Sequence, residues 1–140
     1  MDHIKLALNF SQKGDIETWV HTFLQDEGKN KPLSDGLKKQ KRYWLGPIEI
    51  DFSKLDRIVG PEEGMEYPES IEGWNERVGK MSDDVAKGWI PAPLIVEYRN
   101  GILSLRDGNH RMAALQKSGV SKYWTIIWFN SEIDKSAYSA

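Results

Sequence analysis

In Ser104-Leu105-Arg106-Asp107-Gly108-Asn109-His110-Arg111-Met112-Ala113-Ala114-Leu115-Gln116-Lys117-Ser118-Gly119 a β-rich run gives way, through a polar glycine turn, to a run of helix formers. Immediately upstream, Leu94 to Tyr98 and Ile102 to Leu105 are short β-rich runs joined by Asn100-Gly101. That dipeptide suits a two-residue hairpin, because both central positions take positive φ. Downstream, Met112 to Lys117 consists of good helix formers, and Gly119 stands where a left-handed residue closes a helix. Asp107-Gly108-Asn109 is therefore a strand-to-helix turn, with His110 and Arg111 opening the helix. A helix start leaves backbone N–H groups unpaired and carries partial positive charge, so it attracts anions. Gly108 permits close backbone approach, and an imidazole and a guanidinium stand beside it. The pattern is that of a phosphate cradle; an ordinary capped turn with solvated charges is the competing reading.

The rest of the chain sets the frame. Its 140 residues predict a single domain with one real core. Hydrophobic residues make up 39% and charged residues 29%, and the net charge of −2 supplies no global field for nucleic acid. The absence of cysteine removes disulfides, thiolate metal sites and thiol nucleophiles together. No apolar run is long enough for a membrane span and no signal-peptide core is present, so a cytoplasmic location without membrane contact is expected. His3, His21 and His110 lack zinc-ligand spacing, and neither a Gly-x-Ser-x-Gly turn nor a Walker-type loop occurs.

Residues 1–46 read as a helical extension. Ile16, Trp19, Val20, Phe23 and Leu24 recur at helical spacing after Asp15, forming one apolar stripe. Lys29, Lys31, Lys38, Lys39, Lys41 and Arg42 form a basic run before Tyr43-Trp44. Basic groups beside aromatics can hold nucleic acid, but six cations in an acidic chain fit a solvated face better. Ser34 is expected to cap a short helix over residues 35–43.

Residues 47–130 read as an α/β core. Ile48 to Phe52 alternates as a half-buried strand, residues 53–58 as one turn, and a helical region follows Ser70 up to Lys87. Ser82-Asp83-Asp84 is expected to break that helix, since these residues prefer caps. Lys122 to Phe129 is an aromatic strand, and the final ten residues are expected to be loose. Between Glu62 and Glu76 fall Glu62, Glu63, Glu66, Glu69, Glu72 and Glu76, mostly solvated by mutual repulsion.

Asp107-Gly108-Asn109-His110-Arg111, after a hairpin and before an Ala-rich helix, resembles the signature of the ParB/sulfiredoxin-like superfamily. Partition proteins carry Asp-Gly-Glu-Arg-Arg there, sulfiredoxin Gly-Cys-His-Arg, and free serine kinases Asp-Gly-His-His-Arg, the version most similar to this one. The resemblance spans residues 47–130 and implies a small mixed sheet with packed helices. It further implies a nucleotide-binding domain whose phosphates sit on Gly108, Asn109, His110 and Arg111, with Asp107 as a Mg²⁺ ligand. The nucleotide would be ATP (or CTP), and the activity an ATP-dependent phosphotransferase acting on a small-molecule acceptor, or a nucleotide hydrolase.

By the same resemblance, Pro61-Glu62-Glu63 is similar to a loop whose glutamate activates the acceptor hydroxyl, which makes Glu62 and Glu63 the candidate catalytic bases. Sulfiredoxin chemistry is excluded because Asn109 stands where its cysteine belongs. The competing class is a non-enzymatic module of the partition type, binding nucleotide or, weakly, nucleic acid. No second phosphate motif follows the aromatic strand, so a CTP-clamp mechanism and sequence-specific DNA reading are not expected of that class here.

Overall fold

The computed structural model describes residues 2–139. Two helices begin the chain. In α1 (His3–Gln12) the Asp2 carboxylate caps the Lys5 N–H at 3.1 Å, and in α2 (Ile16–Gln25) the whole expected stripe from Ile16 to Leu24 is buried. The third helix differs from expectation. α3 (Lys31–Leu37) starts earlier and is capped by Asn30, whose side chain accepts from Leu33 N–H. Ser34 is instead buried inside it and takes a hydrogen bond from Gln25 at 3.0 Å. Residues 38–42 are not helical, and β1 (Tyr43–Asp51) begins at Tyr43, four residues before the expected start of the α/β core.

After a single 3-10 turn at Phe52–Lys54, the chain makes β2 (Leu55–Arg57), β3 (Val59–Gly60) and β4 (Tyr67–Pro68). The short strand β2 replaces the expected turn. Next comes α4 (Ile71–Ala86), capped by Ser70 Oγ on Gly73 N–H at 3.1 Å. It runs unbroken through Ser82-Asp83-Asp84, because Trp74 and Val78 anchor its apolar face and tertiary packing outweighs weak local propensity. The hairpin of β5 (Leu94–Arg99) and β6 (Ile102–Asp107) turns at Asn100-Gly101 with φ of 53° and 80°, as its sequence requires. Then follow α5 (Asn109–Lys117), β7 (Lys122–Phe129) and α6 (Glu132–Ser139). Residues 132–139 are thus helical rather than loose, Ala140 lying outside the described residues: Tyr138 packs its ring 5.7 Å from both Tyr98 and Phe129.

The main sheet is mixed, with strand order β1-β7-β5-β6-β2. β7 lies antiparallel to β1 and parallel to β5, while β2 lies parallel to β6. The expected α/β fold with a small mixed sheet is what the chain adopts. Period-2 alternation sends Ile95, Ile126 and Trp128 to one face, under α1 and α2 with Trp19, Val20 and Leu24. Leu94, Val96, Ile127 and Phe129 face the other way, against Met112 and Leu115 of α5. Each such buried side chain contributes about 1.5–3 kcal/mol, so the N-terminal helices share the sheet's core. The β6–α5 turn lies where these helices, α4 and the β3–β4 segment converge.

Candidate functional site

Gly108 sets the turn. It occupies the N-cap of α5 at φ +107° and has no side chain to cap the helix. A Cβ there would sit 2.7 Å from Leu94 Cδ2 and 2.9 Å from Arg111 Nη2, so no other residue fits without displacement. The consequence is an uncapped first turn of α5 with free N–H groups and its positive dipole end exposed to whatever enters beside Gly108.

Two clefts meet at this point. One, of about 310 Å³, is lined by Phe23, Lys29, Arg77 and Trp89 together with Gly108 and His110. The other, of about 380 Å³, adds Tyr67, Glu69 and Arg106 on the far side of the same turn. Gly28, Lys29, Arg77, Asp107, Gly108 and His110 line both. Lys29 and the largely exposed Arg77, which pairs with Glu69 at 3.8 Å, therefore stand beside the uncapped helix start.

His110 is a half-buried titratable group of the site. Its Nε2 lies 2.9 and 3.0 Å from the two oxygens of Glu69, and its ring packs 4.8 Å from Trp74. A carboxylate can only accept, so Nε2 carries the proton and Nδ1 is the basic nitrogen of the neutral ring. Burial holds the His110 pKa below 6.5; the hydrogen bond that its Nε2–H donates to Glu69 opposes this, and the Arg77 charge adds to it.

Arg111 serves the turn rather than standing free. Its Nη1 and Nη2 each lie 3.3 Å from Asp107 Oδ2, and Nη2 donates to the Pro93 carbonyl at 2.8 Å. The guanidinium rests 5.4 Å above the Phe23 ring, and its Nε is buried without a partner. Asp107 is buried too, and its Oδ1 accepts from Asn30 Nδ2 at 2.9 Å. Both Asp107 oxygens are thus engaged by Asn30 and Arg111, and the carboxylate orients the turn. Among the described residues, no group of three or more His, Cys, Asp or Glu is placed to hold a metal.

Asn109 also departs from the expected phosphate contact. It is 4% exposed, its Oδ1 accepts from Ile58 N–H at 2.9 Å and Val59 N–H at 3.3 Å, and its Nδ2 donates to Leu105 O at 3.0 Å. The amide oxygen joins α5 to the β2–β3 connection, and the amide nitrogen ties it back to β6. Only its backbone N–H remains for a ligand.

The glutamates are redistributed in the same way. Val59 and Gly60 pair with Tyr67 and Pro68, closing residues 61–66 into a loop. Glu62 on that loop pairs with Arg57, and Glu63 is exposed; neither lines a cleft that holds the turn. Burial alone raises the Glu62 pKa, but its backbone N–H and Arg57 outweigh this and hold it below the usual value. The carboxylate that does reach the turn is Glu69, just after the closing pair, where its N–H donates to Gly60 O at 2.9 Å. Glu66 in turn holds Arg106 at 2.9 Å. The basic run is mostly solvated: Lys31 pairs with Asp35, and Arg42 turns inward to the Leu37 and Gly36 carbonyls.

No protein-family model matches the chain. Three curated relatives are threonine–tRNA ligases. The one from Thermococcus sibiricus is 28% identical over 112 residues, covering 72% of this chain and 18% of the relative. That from Pyrococcus horikoshii is 25% identical over 80% of this chain, and that from Pyrococcus furiosus 25% over 72%. The chain thus spans only 18–20% of the length of these relatives. Among solved structures, the fold is similar to a Pnob8-like ParB-N domain, with a TM-score of 0.40 and 13% identity, over 71% of this chain and 34% of that one. Among the described residues, no helix is long and apolar enough to cross a membrane.

Proposed function

We propose that the β6–α5 turn binds the phosphates of a nucleotide, ATP or CTP. The observation that carries this reading is the uncapped start of α5 behind Gly108, opening into a cleft with Lys29, Arg77 and His110. Backbone N–H groups and the helix dipole would hold the anion, and the two side-chain cations would neutralise it. Asp107 and Arg111 act beneath the site, keeping the turn in shape. Mg²⁺ would arrive with the phosphates, whose oxygens supply the hard ligands it prefers.

The chemistry best supported is phosphoryl transfer to a small hydroxyl acceptor, or to water. Nδ1 of His110 accepts the proton as the acceptor oxygen bonds to phosphorus, and the terminal P–O bond breaks to release the diphosphate. Glu69 holds the imidazole in the tautomer this needs. Calorimetric titration with ATP, CTP and GTP, with and without Mg²⁺, tests binding; micromolar affinity for a triphosphate is expected, and none for any of the three refutes the reading. Glu69→Gln should lower turnover by about 10²–10⁴ while affinity barely changes. Glu62→Gln and Glu63→Gln should leave turnover intact; loss of activity in either restores those residues as the base.

The likeness to threonine–tRNA ligases favours a second reading, in which the same turn takes a phosphate of tRNA. Binding would then fall steeply with salt as counterions are released, whereas a free nucleotide would compete for the same turn.

A further inference from the structure

We infer that Trp89 is the platform on which the base of that nucleotide stacks, an inference that rests on the turn holding its phosphates. A single exposed apolar residue needs no explanation of its own. Trp89 differs because of where it stands and how it is held. It is 39% exposed, whereas Trp19, Trp74 and Trp128 are 2%, 7% and 4% exposed. Trp89 lines the cleft that contains Gly108 and His110, and Phe23, Met81 and Ala92 complete the apolar part of that wall. One cleft therefore joins a cationic, N–H-rich end to an apolar, aromatic end, the division that a nucleotide itself has.

The platform is fixed relative to the turn. Gly88 takes φ +101° after α4, and the Trp89 N–H then closes on Asp84 O at 2.9 Å. Beyond it, Pro91 O accepts from the Tyr123 hydroxyl, and Pro93 O accepts from Arg111 Nη2 at 2.8 Å. Arg111 belongs to the turn, so one guanidinium ties the Trp89 segment to the phosphate end. A stacking surface held in this way loses little freedom when a ring settles on it. Stacking reads a π-face rather than a hydrogen-bond pattern, so it gives affinity for a base with modest discrimination between bases.

The test compares ATP with inorganic tripolyphosphate, on the full chain and on Trp89→Ala and Trp89→Phe. Calorimetry should show ATP binding at least about fivefold more tightly than tripolyphosphate. Trp89→Ala should remove that margin and leave tripolyphosphate affinity unchanged, while Trp89→Phe keeps most of it. Tryptophan fluorescence should be quenched by ATP and not by tripolyphosphate. Equal affinity for the two ligands in the wild type, or an undiminished margin in Trp89→Ala, overturns the platform and leaves the phosphate reading standing. Binding of neither ligand overturns both.

Discussion

Arg111→Ala should cost about 3–5 kcal/mol of folding stability, a large share of the roughly 5–15 kcal/mol available to a domain of this kind. The substitution removes both contacts to Asp107 Oδ2 and the bond to Pro93 O, along with the guanidinium over Phe23. Asp107, whose side chain is only 9% exposed, is left with Asn30 as its one hydrogen-bond partner. An unpaired carboxylate in such a place dominates the cost, and the stranded Pro93 carbonyl adds about 1–3 kcal/mol before water entering from the cleft recovers part of it. If the charge is the main term, Asp107→Asn should relieve it: in that background Arg111→Ala should cost only about 1–2 kcal/mol, a coupling of at least about 1 kcal/mol. Urea denaturation followed by far-UV circular dichroism on the four proteins of the cycle measures this directly. A single-variant cost below about 1 kcal/mol, or strict additivity, refutes the assignment of Arg111 as the clamp of the turn.

Other consequences follow from the same geometry. Gly108→Ala should destabilise by about 2–5 kcal/mol, combining left-handed strain with the collision against Leu94, and a thermal melt unchanged from wild type would contradict it. Asn109→Ala strands the Ile58 and Val59 N–H groups, so a loss of about 2–4 kcal/mol is expected in denaturant, with amide exchange at Ile58 and Val59 accelerated. Stability should fall with acidification from about pH 7.5 to about 5.5. The pKa values of His110 and His21 lie below 6.5 in the folded protein, chiefly through burial, so the unfolded chain takes up protons first as pH falls through 6.5. His110→Gln should lessen that fall, and a flat profile between those pH values in the wild type would contradict the half-buried neutral imidazole.

Much of this architecture is legible in the chain because its causes are local. Asn100-Gly101 demands a hairpin, the stripe from Ile16 to Leu24 demands one buried helix face, and Gly108 before a run of helix formers demands a strand-to-helix turn. Those signals act over a few residues, where φ preferences and side-chain periodicity are decisive. The terminal helix is hidden for the opposite reason: its sequence is polar, and only Tyr138 meeting Tyr98 and Phe129 reveals what holds it.

The division of labour around the turn is a tertiary decision. Asp107, Asn109 and Arg111 look equally available in the motif, yet Asn30, Ile58, Val59 and Pro93 approach from other segments and claim them. The glutamates are sorted likewise. Nothing in Pro61-Glu62-Glu63 says that pairing of Val59-Gly60 with Tyr67-Pro68 will close that loop, leave Glu62 with Arg57 and bring Glu69 to His110. Sequence alone determined that a glycine-bearing strand-to-helix turn exists here. Which side chains serve it and which merely hold it in place depended on where distant segments bring their unpaired polar groups, because a buried donor or acceptor takes the partner that packing puts within reach.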